Sequence, residues 1–380
     1  MYTIAIVGAN GQVGSEVCLS LQAMDGVQVI PICRTPTSST FLRWYGFECR
    51  HGSLEDDACA ASLLSGCDLI ADFSLPRGLS SDIRLTAGHI IDNIAHHAPP
   101  SSRWVYMSTV MALGMGSSSD AIRPYYIART VYGAWKRAAE KQVLHLGKQT
   151  RHEAYVLRLG QVHGAIQPVS QIIQQEIANG QFRYSDGVSI AVFAHAIAKA
   201  LLSIARGGEK PGRYTLVQDW TERQVYEYYC RLLGKMSDAS AYIGPDKFIS
   251  DSWRQRMLAY MRNQVVNPVL NTLVRNRELL VGNLLGRFPE WERRIGALYS
   301  IHRARAEISR FTATQVPLRS PACVSIPGKR LAGAACDTAE LDLQCQRVHE
   351  LLRQIRNGTR RPPLNTSRPH ASVGDHNGSL

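Results

Sequence analysis

The chain has 380 residues, 45% of them hydrophobic and 19% charged, with a net charge of +12. That is enough for a sizeable core and two lobes, and it excludes wholesale disorder, a fibrous protein and a bare peptide-binding module. The excess charge sits late: residues 251–380 hold 20 Lys+Arg against 10 Asp+Glu, whereas the first 250 carry 23 against 21.

The chain opens with a short apolar run, Tyr2 to Val7, that reaches Gly8 before any cleavage-like site; it reads as a strand and not as a secretory signal. Strand and helix patterns then alternate to about residue 165. Strands are predicted at Thr3 to Val7, Val27 to Cys33, Phe47 to His51, Asp68 to Phe73, Trp104 to Met107 and Ala154 to Leu159. Helices are predicted between them, at Gln12 to Met24, Asp56 to Leu64, Ile83 to His96 and Ile122 to Leu146. This order specifies an α/β fold, a doubly wound parallel sheet.

Beyond Gly164 longer helical segments take over, at Val169 to Asn179, Val192 to Arg206 and Thr221 to Leu233, followed by a basic helical region from Asp251 to Phe311. They predict a smaller, mostly helical C-terminal lobe. The weakly polar stretch Val188 to Ala205 contains His195 and Lys199 and reads as a strand feeding a helix, a poor bilayer span. A soluble, cytoplasmic protein is expected. Residues 312–338 are loop-like, Leu341, Cys345, Val348, Leu352 and Ile355 recur at helical spacing, and 358–380 has the composition of a disordered tail.

Nine cysteines without a CxxC pair fit neither a zinc site nor a small disulfide scaffold, so free thiols in a reducing cytosol are expected. His51, His96 and His97 have no acidic or thiol partner at ligand spacing, and no metal is expected. The arginines of the basic third are spread through amphipathic stretches. They can be a solvated helix face, phosphate ligands, a peripheral contact with an anionic membrane surface or a subunit interface, as in a homodimer. Nucleic acid is not the expected partner.

The first chemical motif is Gly8-Ala9-Asn10-Gly11-Gln12-Val13-Gly14, placed between the first strand and the first helix. Glycines let this turn approach a pyrophosphate, and the helix N–H groups face its charge. Gly8, Asn10, Gly11, Gln12, Val13 and Gly14 are therefore candidate dinucleotide contacts. At the end of the second strand, where an acidic residue would hold an NAD ribose, stands Arg34, which suits a 2′-phosphate. NADP is the expected cofactor, with NAD held by other contacts as the alternative.

The second motif is Tyr132-Gly133-Ala134-Trp135-Lys136. Four residues apart on a helix, the phenol and the ammonium share a face. A nearby positive charge lowers the tyrosine pKa towards the range where it exchanges a proton with a substrate hydroxyl. Ser108-Thr109, at the end of the fifth strand, supplies a hydroxyl for the same substrate oxygen.

With these elements the chain resembles the extended short-chain dehydrogenase/reductase family, of NAD-dependent epimerase/dehydratase type. The resemblance spans about residues 3–235. It includes the glycine turn, Ser108 to Gly114, the Tyr132/Lys136 pair followed by Glu140, and Arg158-Leu159-Gly160-Gln161-Val162-His163-Gly164. It implies that Tyr132 is the acid/base, that Lys136 binds the nicotinamide ribose and tunes Tyr132, and that Thr109, with Ser108 beside it, positions the substrate oxygen. It also implies a Rossmann domain over 1–165, with 188–206 returning to it. A substrate lobe over 166–187 and 207–311 and a C-terminal extension over 312–357 complete the organisation.

Departures from the family pattern narrow the chemistry. Val110 and Met111 stand where 4,6-dehydratases carry an Asp-Glu pair, so that reaction is disfavoured. Leu113 replaces a common tyrosine, Ser53 a common aspartate, and Phe73-Ser74-Leu75-Pro76 a small-residue run, while His163 is expected near the cofactor in place of a tyrosine. The reading is an NAD(P)-dependent oxidoreductase or epimerase acting at a carbinol or ketone of a small-molecule substrate, phosphorylated or nucleotide-linked. The alternative is a non-catalytic dinucleotide-binding sensor or assembly subunit.

Overall fold

The computed structural model describes residues 1–75, 80–113, 131–184, 187–242, 326 and 328–356. The basic region 251–311, the start of the helix expected at 122–130 and the tail 358–380 lie outside the described residues.

The first half builds a parallel sheet: β1 (Tyr2–Val7), β2 (Val27–Cys33), β3 (Arg50–His51), β4 (Leu69–Asp72), β5 (Arg103–Thr109) and β6 (Glu153–Leu159). Between them run α1 (Gln12–Leu21), α2 (Thr40–Trp44), α3 (Asp57–Leu64), α4 (Ser80–His97) and α5 (Val131–Thr150). Then follow β7 (Gln161–His163), α6 (Pro168–Ala178), β8 (Ala191–Phe193), α7 (Ala194–Ala205), β9 (Gly212–Leu216), α8 (Glu222–Leu232) and α9 (Thr338–Arg356). The main sheet has the order β3-β2-β1-β4-β5-β6-β9, and β7 and β8 form a separate parallel pair.

Both faces of the sheet are covered, so its strands are apolar at nearly every position, and the two-residue period sorts them by side. Ile4, Ile6, Leu69, Ala71, Val105 and Met107 pack with α1 and α7. Ala5, Val7, Ile70, Trp104 and Tyr106 pack with α3, α4 and α5. The strand order reverses between β1 and β4, which puts the crevice of this doubly wound sheet at the carboxyl ends of those strands.

Two expectations change. Residues 207–216, read as part of the substrate lobe, return to the main sheet, where Gly212–Leu216 pairs with β6 from Tyr155↔Gly212 to Leu159↔Leu216. The strand expected over Phe47 to His51 is confined to Arg50–His51, because the Phe47 N–H is taken by Leu42 O at 3.2 Å and cannot join the ladder. The stretch beginning at Val188 does feed a strand into a helix, and α7 lies against α1 on the sheet.

The C-terminal extension is part of the same body. The Thr215 N–H donates to Lys329 O at 2.9 Å, and α9 then buries Leu341, Val348 and Leu351 against the α1/α7 face. Gln344 Nε2 donates to Ser20 Oγ on α1 at 2.9 Å in the buried seam, and the ion pairs Lys199–Glu340 and Arg231–Asp342 close its rim. No described helix is long and apolar enough to cross a membrane. Docking of α9 on the back of α1 makes the extension a determinant of global stability. Leu341→Ala is expected to lower the unfolding free energy by about 2–5 kcal/mol, read from urea denaturation.

Candidate active site

The glycine turn leaves β1 at Gly8, whose φ of +72° lies in the left-handed region. A Cβ there would stand 3.0 Å from Ser74 Cα and 3.1 Å from the Phe73 carbonyl. At Gly14 it would meet Gly8 O at 2.8 Å and Ala9 Cα at 3.0 Å. The turn is thus pressed against the β4 exit on one side and its own helix on the other. Ser15 Oγ donates within it to Ala9 O and Gly11 O.

Two helices start on a side-chain cap, α3 on Asp56 and α8 on a Thr221/Gln224 capping box, whereas α2, α6 and α7 have none. The start of α1 belongs to the second group. Its N-cap is Gly11, with no side-chain hydrogen bond and no acidic residue in the first turn, and Asn10, Gly11 and Gln12 are exposed. A solvent-facing helix start without an acceptor of its own suits the phosphates of a dinucleotide.

At the end of β2 Arg34 is exposed, with no hydrogen-bond or charged partner among the described residues. The Cys33 thiol beside it takes the Asn10 N–H, and its hydrogen bond with Cys49, together with burial, pushes it well up and keeps it protonated. All cysteines among the described residues are free.

Lys136 and Thr109 stand at the carboxyl end of β5, beside the ends of β4 and β6. Lys136 is on α5, 4% exposed, and its Nζ donates to Met107 O at 2.8 Å and lies 4.6 Å from the centroid of the Tyr106 ring. Burial lowers its pKa to about 8, opposed by the charges of Asp72 and Glu140. Tyr132 lies one turn earlier on the same helix, and its side chain is outside the described residues. Thr109 closes β5 and is half-buried.

Ser108, expected beside Thr109 as a second catalytic hydroxyl, is committed elsewhere. Its Oγ donates to Glu140 Oε1 at 2.6 Å. Strand alternation turns Ser108 towards α5, on the side of Trp104 and Tyr106. Glu140 is 1% exposed and also receives Arg158 Nε at 2.9 Å and Nη2 at 2.6 Å, with Arg213 at 3.4 Å. This bidentate pair locks α5 to β5 and β6.

Two buried carboxylates escaped the sequence reading. Asp72, 1% exposed at the end of β4, accepts from the Ser74 N–H at 2.8 Å; burial raises its pKa, opposed by Ser74 and Lys136. Glu16, on α1, accepts from the N–H groups of Ala165 and Ile166 and from Gln167 Nε2, and burial raises its pKa as well. A Cβ on Gly164 would collide with that carboxylate, which explains a glycine there.

His163 closes β7 as a fully buried side chain. Its ring is buried against Phe193 and Tyr229, with Nδ1 2.8 Å from Tyr229 Oη, which in turn donates to Ser170 Oγ. Burial lowers its pKa to about 3, so it is a neutral structural group. His97 does have an acidic neighbour, Asp57 at 2.6 Å, and His51 is held by Ser39. Among the described residues His195, Cys336 and Glu340 bring possible ligand atoms within 4.8 Å. There the Lys199 ammonium already sits 2.8 Å from Glu340, and burial pushes the Cys336 thiol up to about 12.

Two substitutions test this construction. Gly8→Ala adds a side chain in the left-handed region and a clash with the β4 exit; it should destabilise by more than about 1 kcal/mol and abolish dinucleotide binding, read by thermal unfolding and titration. Glu140→Ala strands a largely buried guanidinium and is expected to cost about 3 kcal/mol in denaturant unfolding.

Comparison with known proteins gives the same direction. Residues 4–193, half of the chain, match the model of the NAD dependent epimerase/dehydratase family. Among solved structures, the chain is similar to UDP-N-acetylglucosamine 4-epimerase from Bacillus cereus, at 17% identity and TM-score 0.51, covering 64% of this chain and 85% of that one. It is also similar to a nucleoside-diphosphate-sugar epimerase from Pseudomonas aeruginosa, at 18% identity and TM-score 0.50, covering 68% and 85%. At such identities the likeness is one of fold. No curated protein matches the sequence. With half its length matched by the family model, the chain belongs to the NAD dependent epimerase/dehydratase family.

Proposed function

We propose that the protein is an NAD(P)-dependent oxidoreductase or epimerase that acts at a carbinol or ketone carbon of a nucleotide-linked sugar or a substrate of similar size. The observation that carries this reading is the Lys136 ammonium. It is seated under the end of β5, one helical turn after Tyr132 and bonded to the carbonyl two residues before Thr109, one strand away from the point where the strand order reverses. A buried ammonium in that place needs a function, because burial alone is costly for it.

The residues fit a dinucleotide: Gly8 and Gly14 leave no room for a Cβ, so the turn folds tightly against the β4 exit and its own helix, and the first turn of α1 has no side-chain cap. When bound, the cofactor supplies hydride chemistry at its nicotinamide ring. The chain's own residues do the rest. The N–H groups at Gln12 to Gly14 hold the pyrophosphate, while that of Gly11 closes the turn on Gly8 O, and Lys136 holds the nicotinamide ribose and favours the phenolate of Tyr132. Thr109 positions the substrate oxygen, and Tyr132 gives or takes its proton.

Arg34 supports NADP over NAD, since an exposed guanidinium without a partner among the described residues is available to a 2′-phosphate. A 4,6-dehydration is not the proposed reaction. Elimination of water calls for an acid and a base after Thr109, and Val110 there is a fully buried hydrocarbon.

The test is consumption or transient oxidation of cofactor on a panel of keto and hydroxy sugar nucleotides. Tyr132→Phe is expected to lower turnover by about 10²–10⁴-fold with cofactor affinity retained. Arg34→Ala should weaken NADP by about 10–100-fold and leave NAD unchanged. Dinucleotide binding without turnover on any substrate would favour a sensor instead.

A further inference from the structure

Strand alternation, register and charge balance converge on a residue to which no role has been given. On β4, Ile70 faces α4 and α5, so Asp72, two residues later, faces the same side. In the parallel register Asp72 lies opposite Tyr106, the ring over which Lys136 Nζ sits at 4.6 Å. Both ionisable groups are almost fully buried.

The second nearby carboxylate cannot serve Lys136 fully. Glu140 is claimed by both Arg158 donors, by the Ser108 hydroxyl and, at longer range, by Arg213. Other described groups around Lys136 include the Met107 carbonyl and the Tyr106 and Trp135 rings, with Tyr132 one turn away on α5.

We propose that Asp72 is a positioning residue: it is the counter-charge that keeps Lys136 an ammonium on the Met107 carbonyl, and through Ser74 it ties that ammonium to the glycine turn. Ser74 makes the mechanical link, since its N–H donates to Asp72 Oδ1 while its Cα would stand 3.0 Å from a Cβ on Gly8. Asp72 touches no reacting atom and acts through Lys136. The proposal rests on the functional reading above and deepens it.

The experiment compares wild type with Asp72→Asn, which keeps an oxygen for the Ser74 N–H and loses the charge. Dinucleotide affinity is titrated by cofactor fluorescence from pH 6 to pH 9.5, and turnover is followed over the same range. An ammonium that binds ribose is lost as pH rises through its pKa, so wild-type affinity should fall above about pH 8. Without Asp72 that limb should move down by about one pH unit or more, which is about tenfold weaker binding near pH 8, with the two proteins alike at pH 6. An unmoved limb, or an equal loss at every pH, would overturn the proposal. No dinucleotide binding by wild type at any pH would instead remove the functional reading and the proposal with it.

Should Asp72→Asn fail to fold, the double variant Asp72→Asn/Lys136→Met decides. Loss of the unbalanced ammonium should restore folding and raise the urea midpoint above that of Asp72→Asn. Additive effects of the two substitutions would refute the pairing.

Discussion

A buried ammonium at the carboxyl edge of a parallel sheet is the costly element around which the rest of this structure is arranged. In a low-dielectric interior a lysine keeps its proton only if carboxylates and carbonyls are fixed beside it. Four elements contribute: α5 supplies Lys136 and Glu140, β5 the Met107 carbonyl and Ser108, β6 Arg158, and β4 Asp72. Counted as charges, the two buried carboxylates face one lysine and one arginine, with Arg213 at the half-exposed margin. The cluster is balanced, and each member is held on a rigid element.

The same device recurs on the other side of the crevice in a different form. Glu16 on α1 gathers donors from the 165–167 segment, and Gln167 Nε2 also reaches Gln12 O in the first turn of α1. A carboxylate one turn below the glycine motif therefore ties the start of that helix to the segment following β7. Behind it, α9 clamps the far side of α1 through Gln344 and Ser20. The geometry of the turn is fixed from both flanks, which matters because the backbone N–H groups there have no side chain to adjust them.

The fold was legible to the degree that periodicity carried it. β1, β2, β6 and α3 fall within a residue or so of expectation because their apolar runs end in glycine, polar turns or a capping aspartate. α1 stops at Leu21, short of Met24, because the Ala23 and Met24 N–H groups turn to Ser20 O and Leu21 O in tightened bonds. β9 escaped since five residues after a helix carry no sign of which sheet they join; only pairing with β6 decides it. In the site, the glycine turn and the spacing of Tyr132 and Lys136 could be read because they are local. Asp72, Glu16 and the diversion of Ser108 to Glu140 could not, being long-range pairings between separate elements. A strand ending in aspartate looks like an ordinary terminator until α5 is laid across it.

The charge balance also bears on which chemistry suits the proposed reading. Hydride exchange at one carbon moves a single proton, which one tuned phenol next to one ammonium can handle. Elimination of water would need a further acid and base, whose pKa values must be set apart by their surroundings. The position after Thr109 holds fully buried Val110, and among the described residues the two carboxylates around Lys136 are already engaged, Glu140 with Arg158 and Ser108, Asp72 with Ser74 and the lysine field. Releasing either to act on a substrate would unbalance the cluster that keeps Lys136 charged. Among the described residues the two carboxylates around Lys136, Asp72 and Glu140, are already engaged in the lysine and arginine cluster, and the proposed single-proton redox chemistry asks neither of them to leave it.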